Sequence, residues 1–365
     1  MRLLDFLCCP DCRDEDLEVT VYEGDDGAET RKIIEGAIRC RGCDRLFPII
    51  NGVPRLLPAS LAHYVVSSHP DFFNRYPALN PPAAREAAPE KVAGTLEAYS
   101  YQYSKLHDQR NELERWKQTF LTSIPVQPDF FRGKLGLDVG CGVGRHLYWA
   151  HEFGAEMVGV DLTESVEQAR GHTGDSARCH FVQADIYHLP FKTGMFDFAY
   201  SIGVLHFLPD PYDGFRSIVP AVKPRGKIFI WVYGLDGMRF SYRLSHLTWL
   251  RGIAPKLPSF AQYAFSMFLV LLLELIIWLP CRALSRLPGA ASTVARIPLG
   301  DSCRRPFMVK LRSVFNRLQP PVVHYHTAQE LDDWFKAAGL RNIVLSSRQG
   351  RGWITAGDRA EAVAQ

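Results

Sequence analysis

The residues best suited to chemistry lie in Leu137-Asp-Val-Gly-Cys-Gly-Val-Gly-Arg145. An apolar strand runs into Asp138, then into Gly140, Gly142 and Gly144, then into a helix. Glycines at this spacing let the backbone turn tightly and approach a ligand closely. The third glycine of a dinucleotide fingerprint would fall at position 145, where Arg145 stands, and its bulk at the helix start argues against a pyrophosphate. Asp138 suits a cationic ligand. Asp161 ends the next strand, 23 residues on, where a carboxylate accepts two ribose hydroxyl bonds. Asp185 ends the third strand, in Gln183-Ala-Asp-Ile186; it can accept from an adenine amino group while Ile186 covers the ring. With Cys141, Leu162 and Ser201 beside them, these positions describe a site for an adenosine-bearing cation; upstream, Tyr99, Tyr101 and Tyr103 cluster, and Tyr103 either packs in the core or covers the ligand.

A second set of residues fits a metal. Cys9-Pro-Asp-Cys12 and Cys40-Arg-Gly-Cys43 form two C-x-x-C pairs with 27 residues between them. Each pair on a tight turn aims two thiolates at one tetrahedral ion, and zinc is the ion that suits four thiolates. Cys8, Cys141, Cys179, Cys281 and Cys303 show no disulfide-like spacing. A reducing, cytoplasmic setting is the expectation. His206 lies just past the fourth strand, where it faces a reacting group and accepts a proton or else only packs. His324 and His326 flank Tyr325 and are further candidates for the substrate side.

The elements that must position these groups alternate. Strands are expected over 135–139, 156–160, 179–184, 196–201 and 227–233, with helices over 143–153, 164–171 and 211–222. Such alternation predicts an α/β fold with a mostly parallel sheet. A helical pattern from Thr95 to about Ile124 leads into it. Near the end, Thr327 N-caps a helix to Ala338 with Glu330 completing a capping box, and Asn342–Ser347 and Gly352–Ala356 read as an antiparallel closing pair. Upstream, Leu17–Tyr22 and Lys32–Arg39 read as strands of a compact unit over 1–58. Residues 59–95, rich in Ala and Pro, read as a linker with room for one short helix.

The glycine loop, Phe196-Asp-Phe-Ala-Tyr-Ser-Ile-Gly-Val-Leu-His-Phe-Leu-Pro-Asp210 and Val222-Lys-Pro-Arg-Gly226 resemble the class I methyltransferases, in particular the broad group with the quinone-biosynthesis C-methyltransferases. The resemblance covers about 96–235 and 325–357. It implies a Rossmann-like fold, S-adenosyl-L-methionine as methyl donor, and the cofactor residues named above. Arg225 stands where that group carries the first glycine of its turn before strand five. Residues 1–58, with the ending Phe47-Pro-Ile-Ile-Asn-Gly-Val-Pro-Arg-Leu-Leu-Pro58, resemble the zinc-ribbon family that partners methyltransferases of tRNA and translation factors. A similar ribbon precedes the catalytic domain of an rRNA guanine methyltransferase family, so the acceptor is a small or lipid-linked molecule on one reading and an RNA base on another. A non-catalytic cofactor-binding scaffold is the third.

Charge weighs on that choice. Net charge is +3 over 365 residues, but residues 1–60 hold 8 Lys/Arg against 12 Asp/Glu, while 235–323 hold 12 against 3. An acidic ribbon lacks the basic footprint of an RNA binder. The expected domains are thus a ribbon (1–58), a linker (59–95), a methyltransferase domain (96–234 and 324–358) and a basic, apolar helical insert (235–323). The run Tyr263–Leu279 is almost wholly apolar apart from Glu274. Flanked by Arg251, Lys256, Arg282, Arg286 and Arg296, it reads as a lid or a peripheral membrane-surface element through 259–312. A single crossing is excluded because the strands on either side of the insert belong to one sheet.

Overall fold

The computed structural model describes residues 2–25, 32–81, 90–105, 113–174, 176–235, 250, 253–287, 289–297, 299–347 and 352–361. The strands are β1 (Leu17–Asp25), β2 (Lys32–Cys40), β3 (Leu46–Ile50), β4 (Val53–Leu56), β5 (Leu135–Val139), β6 (Glu156–Asp161), β7 (Cys179–Ala184), β8 (Phe196–Ile202), β9 (Val222–Tyr233), β10 (Leu340–Ser347) and β11 (Gly352–Arg359). They form one sheet of 11 strands in the order β1-β2-β3-β4-β7-β6-β5-β8-β9-β11-β10. Strands β4 through β9 in that order run parallel, and antiparallel pairs close both ends.

The helices are α1 (Ala62–Ser68), α2 (Pro70–Arg75), α3 (Glu90–Lys105), α4 (Leu113–Ser123), α5 (Arg145–Glu152), α6 (Ser165–His172) and α7 (Pro211–Ile218). The insert supplies α8 (Ser259–Leu284), α9 (Ala291–Arg296) and α10 (Phe307–Leu318), and α11 (Ala328–Ala337) precedes the closing hairpin. Two apolar layers sandwich the central strands. One holds Leu137, Val158, Val182, Ile228 and Phe335, the other Phe120, Leu147, Phe181, Phe198 and Phe229. Alternation of side chains along each strand feeds both layers, as a sheet covered on both faces requires.

The ribbon is joined to the main sheet through β4, which pairs parallel with β7 at Arg55–Gln183 and Leu56–Ala184. The strand β4 exists because Asn51 and Gly52, both at positive φ, turn the chain back between Ile50 and Val53. Arg55 is fully buried at this seam. Its guanidinium donates to Gln183 Oε1 at 3.0 Å and to the Ile50 carbonyl at 3.3 Å, and pairs with Glu167 of α6. Gln183 Nε2 donates onward to the Leu162 carbonyl at 2.9 Å. Removing the guanidinium strands a buried amide and a half-buried carboxylate. Arg55→Leu is therefore expected to cost about 2 kcal/mol. A two-state urea titration checks it, and a loss below ~0.5 kcal/mol would show the network to be dispensable.

Three expectations change here. Residues 59–81 are not a bare linker: α1 and α2 bury Leu61, Val65, Phe72, Phe73 and Leu79 against Ile50, Leu57 and Leu96. Helix α7 stops at Ile218 rather than 222, because Pro220 lacks the N–H to continue it. The Glu330 carboxylate meets His326 Nδ1 at 2.8 Å, while Thr327 caps Glu330 N at 3.2 Å. Arg225 takes a φ of 62°, the left-handed conformation its glycine counterpart would adopt without strain.

Candidate active site and metal centre

The glycine loop leaves β5 and turns into α5 with Gly140, Gly142 and Gly144 all at positive φ. A Cβ on Gly140 would come within 2.4 Å of Val204, and one on Gly142 within 2.7 Å of the Tyr103 hydroxyl. The loop is a cradle with no room for side chains. Asp161, at the end of β6, accepts from Gly142 N at 2.8 Å, Thr163 N at 3.0 Å and Thr163 Oγ1 at 2.8 Å. Burial pushes its carboxyl up, and those donors pull the other way. Asp185, at the end of β7, receives Tyr187 N at 3.2 Å and lies 2.9 Å from His188 Nδ1. That contact raises the imidazole pKa of His188.

These groups border one cavity of about 350 Å³ beyond the C-terminal ends of the parallel strands, where ligands of open α/β sheets bind. Of the residues the sequence singles out, Gly140, Cys141, Gly142, Asp161, Leu162, Asp185, Ile186, Tyr103 and His206 line it; Asp138, Gly144 and Ser201 do not. Asp138 is 2% exposed and lies behind the loop near Tyr200, where burial pushes its carboxyl well above the ordinary range. Ser201 donates to the Val139 carbonyl at 2.9 Å. Their role is to brace the turn. His324 and His326 are also outside the wall. The His324 N–H donates to the His206 carbonyl at 2.8 Å, and the buried His326 ring packs edge-on to Trp334. Burial holds the His326 imidazole below its ordinary pKa, with Glu330 opposing.

Sequence reasoning missed the far wall. His206 stacks on Tyr233 with ring centres 3.9 Å apart and meets Trp231 edge-on at 5.8 Å. Tyr99 and Phe207, 6.1 Å apart, complete an aromatic enclosure. Tyr99 and Gln102 come from α3, and Asn316 comes from α10 of the insert. The Gln102 and Asn316 side-chain oxygens are buried and have no hydrogen-bond partner among the described residues. The alternation of Trp231 and Tyr233 on β9 was the available signal for this wall; nothing in the sequence pointed to Asn316, 85 residues further on.

In the ribbon, the Sγ atoms of Cys9, Cys12, Cys40 and Cys43 all lie within 4.8 Å of one another. Cys9 and Cys43 are 3.7 Å apart, Cys12 and Cys40 3.4 Å. Tetrahedral zinc with bonds of about 2.3 Å needs sulfurs roughly 3.8 Å apart. The two turns match: Arg13 N donates to Cys9 O at 3.0 Å and Asp44 N to Cys40 O at 2.9 Å, with Arg13 and Asp44 both left-handed. The donor set suits structural zinc, and Cys8 stands outside it. Arg13 also donates to the Leu189 and Phe191 carbonyls, each at 2.6 Å, tying the metal turn to the loop after Asp185.

Residues 137–230 match the family model of a methyltransferase domain, and residues 1–52 match that of Trm112p-like proteins. The chain thus carries a region that matches a methyltransferase domain, preceded by a region that matches Trm112p-like proteins. Relatives of the methyltransferase domain include a sterol 4-C-methyltransferase of Caenorhabditis elegans, 31% identical over 32% of this chain and 38% of that protein. A ubiquinone biosynthesis O-methyltransferase of Idiomarina loihiensis is 38% identical over 29% of this chain and 45% of its own. A tRNA U34 carboxymethyltransferase of Proteus mirabilis is 31% identical over 30% and 35%. The chain thus spans less than half the length of these three relatives. Among solved structures, a complex of the Haloferax volcanii Trm112 methyltransferase activator with a methyltransferase aligns at a TM-score of 0.44 and 15% identity, over 72% of this chain and 98% of that one.

The residues present fit the methyl donor. The glycine cradle admits backbone contact, Asp161 and Asp185 offer carboxylates, and the unpartnered Gln102 oxygen is an acceptor facing the same space.

Proposed function

We propose that the protein transfers the methyl group of S-adenosylmethionine to a small or lipid-linked acceptor held between the glycine loop and the aromatic wall. The observation that carries this reading is that a single cavity is lined both by the glycine loop and carboxylates and by the aromatic side chains Tyr99, Phe207, Trp231, Tyr233 and His206. Aromatic faces exclude water and attract a sulfonium or an apolar ring alike.

When bound, the donor supplies an electrophilic methyl carbon on a sulfonium. An acceptor lone pair forms the new bond to that carbon as the carbon–sulfur bond breaks and its electron pair stays on sulfur. The chain's own groups orient and desolvate this displacement. For an acceptor bearing O–H or N–H, His206 is the group on the wall able to take the released proton. Its fixed stacking on Tyr233 and the bond from His324 N to its carbonyl hold the ring in place. The buried oxygens of Gln102 and Asn316 favour an acceptor with at least one hydrogen-bond donor, because leaving them unmet is costly.

The test is incubation with methyl-labelled S-adenosylmethionine and separated lipid, small-molecule, RNA and protein fractions of host cells. Label in the lipid or small-molecule fraction supports the reading. Label confined to RNA would replace it with base methylation, and no label in any fraction despite tight cofactor binding would favour a scaffold.

A further inference from the structure

Helix α8 has two faces of opposite character. Its inner face carries Gln262, Ser266, Leu269, Val270, Trp278 and Cys281, all buried and packed with Leu311, Val314 and Phe315 of α10. Glu274, the one charge in the apolar run, belongs to this side. Its carboxylate pairs with Arg282 and accepts from Lys310 Nζ at 2.8 Å, and Lys310 is 2% exposed. A short π-helical stretch, Glu274–Trp278, carries that turn, and Trp278 Nε1 donates to the Leu299 carbonyl at 2.9 Å. The charge that made the segment look unfit for lipid is therefore neutralised within the protein.

The outer face is different. Phe260, Phe268, Leu271, Leu272, Leu275, Ile276 and Leu279 are 40–67% exposed. They recur at helical spacing over 20 residues, about 30 Å of helix. None carries a polar atom on its side chain. Exposed cations stand at both ends, Lys256 before the helix and Arg286 after it, with Arg304 nearby through its bond to the Ser285 carbonyl at 3.1 Å. A stable protein–protein interface places a hydrogen bond every 100–200 Å² or so across its area. An uninterrupted aliphatic and Phe stripe with cations only at its ends instead matches a helix lying at the boundary between headgroups and acyl chains.

The geometry points to α8 as a monotopic anchor: its outer face inserts into the surface of an anionic lipid bilayer, with Lys256 and Arg286 against the headgroups. Crossing is ruled out by the fold. The insert leaves β9 and returns to β11, and these two pair antiparallel from Lys227–Asp358 to Tyr233–Gly352. Both ends of the insert thus stay on one side. Behind α8, α10 carries Asn316 into the cavity, so the lipid-facing helix and the cavity wall are two layers of one insert. This inference goes beyond methyl transfer and stands without it.

Flotation of the full chain with vesicles tests it. Binding to equimolar phosphatidylcholine and phosphatidylglycerol vesicles is expected to exceed binding to pure phosphatidylcholine and to weaken with salt. The double variant Leu275→Glu, Ile276→Glu is expected to lose about 100-fold or more in partitioning. Lys256→Glu with Arg286→Glu is expected to lose the preference for phosphatidylglycerol. Because all four side chains face solvent, each variant should keep the circular dichroism spectrum and S-adenosylhomocysteine affinity of the parent. No flotation of the parent would overturn the inference, as would equal flotation of the Glu variant. So would a parent dimer that the Glu variant converts to monomer without any vesicle binding. Failure of the methyl-transfer reading would show instead as absent label with flotation intact.

Discussion

Asp161→Ala is expected to weaken S-adenosylhomocysteine binding by about 100-fold or more. In the proposed complex the Asp161 carboxylate accepts two ribose hydroxyls. A hydrogen bond to a charged group contributes about 1.5–3 kcal/mol, so two amount to roughly 3 kcal/mol at the low end, or about 100-fold. The same carboxylate already receives Gly142 N, Thr163 N and Thr163 Oγ1, so its loss also frees the glycine loop. Asp161→Asn separates the two effects. It keeps an acceptor oxygen but loses the charge, and should fall between parent and Ala. Titration calorimetry measures the affinities and a thermal scan the stability. An unchanged affinity in a folded Ala variant would remove Asp161 from the site.

Stripping the metal is expected to unfold the ribbon and to carry the cofactor site with it. Structural zinc contributes on the order of 10 kcal/mol to small thiolate modules. The four sulfurs already lie in one cluster. Loss of the metal turns also loosens Arg13 from the Leu189 and Phe191 carbonyls and β4 from β7. Arg55 would then leave Gln183, which holds the Leu162 carbonyl at the cavity wall. Cys40→Ser or treatment with a strong chelator should therefore abolish bound zinc, lower the melting temperature by about 5 °C or more for a loss of several kcal/mol, and weaken S-adenosylhomocysteine affinity. Metal analysis, calorimetry and a thermal scan read these out. A metal-free chain with parent affinity would show the ribbon and the cofactor site to be independent.

The Rossmann-like core was legible because its strands are short apolar runs bounded by turn residues. Leu135–Val139 and Cys179–Ala184 emerge with the expected limits. The cofactor loop was legible because few residues other than glycine tolerate three left-handed positions in five. The four cysteines were legible from spacing alone. What sequence left hidden depends on contacts remote in the chain. The β3–β4 hairpin carries an Asn-Gly turn, yet its composition, with Pro48 and Pro54, does not alternate, and the pairing of β4 with β7 joins segments remote in the chain. Residues 59–81 looked like a linker because their alanines and prolines masked the buried Phe72 and Phe73. The motif places Asp138 among the ligand contacts, whereas in the fold it is 2% exposed and stands outside the cavity lining. Asn316 could not be found without knowing that α10 folds back over α3. Glu274 stands out in sequence as the one charge of an apolar run, but its partner Lys310 lies 36 residues later.

The central claim is that the cavity beyond β5, β6 and β7 holds an adenosine-bearing sulfonium and its demethylated product. Calorimetric titration of the protein with S-adenosylmethionine, S-adenosylhomocysteine and NAD tests it most directly. Saturable one-to-one heats are predicted for the first two, with no heat for NAD. Heat with the dinucleotide and none with the sulfonium or its product would contradict the account.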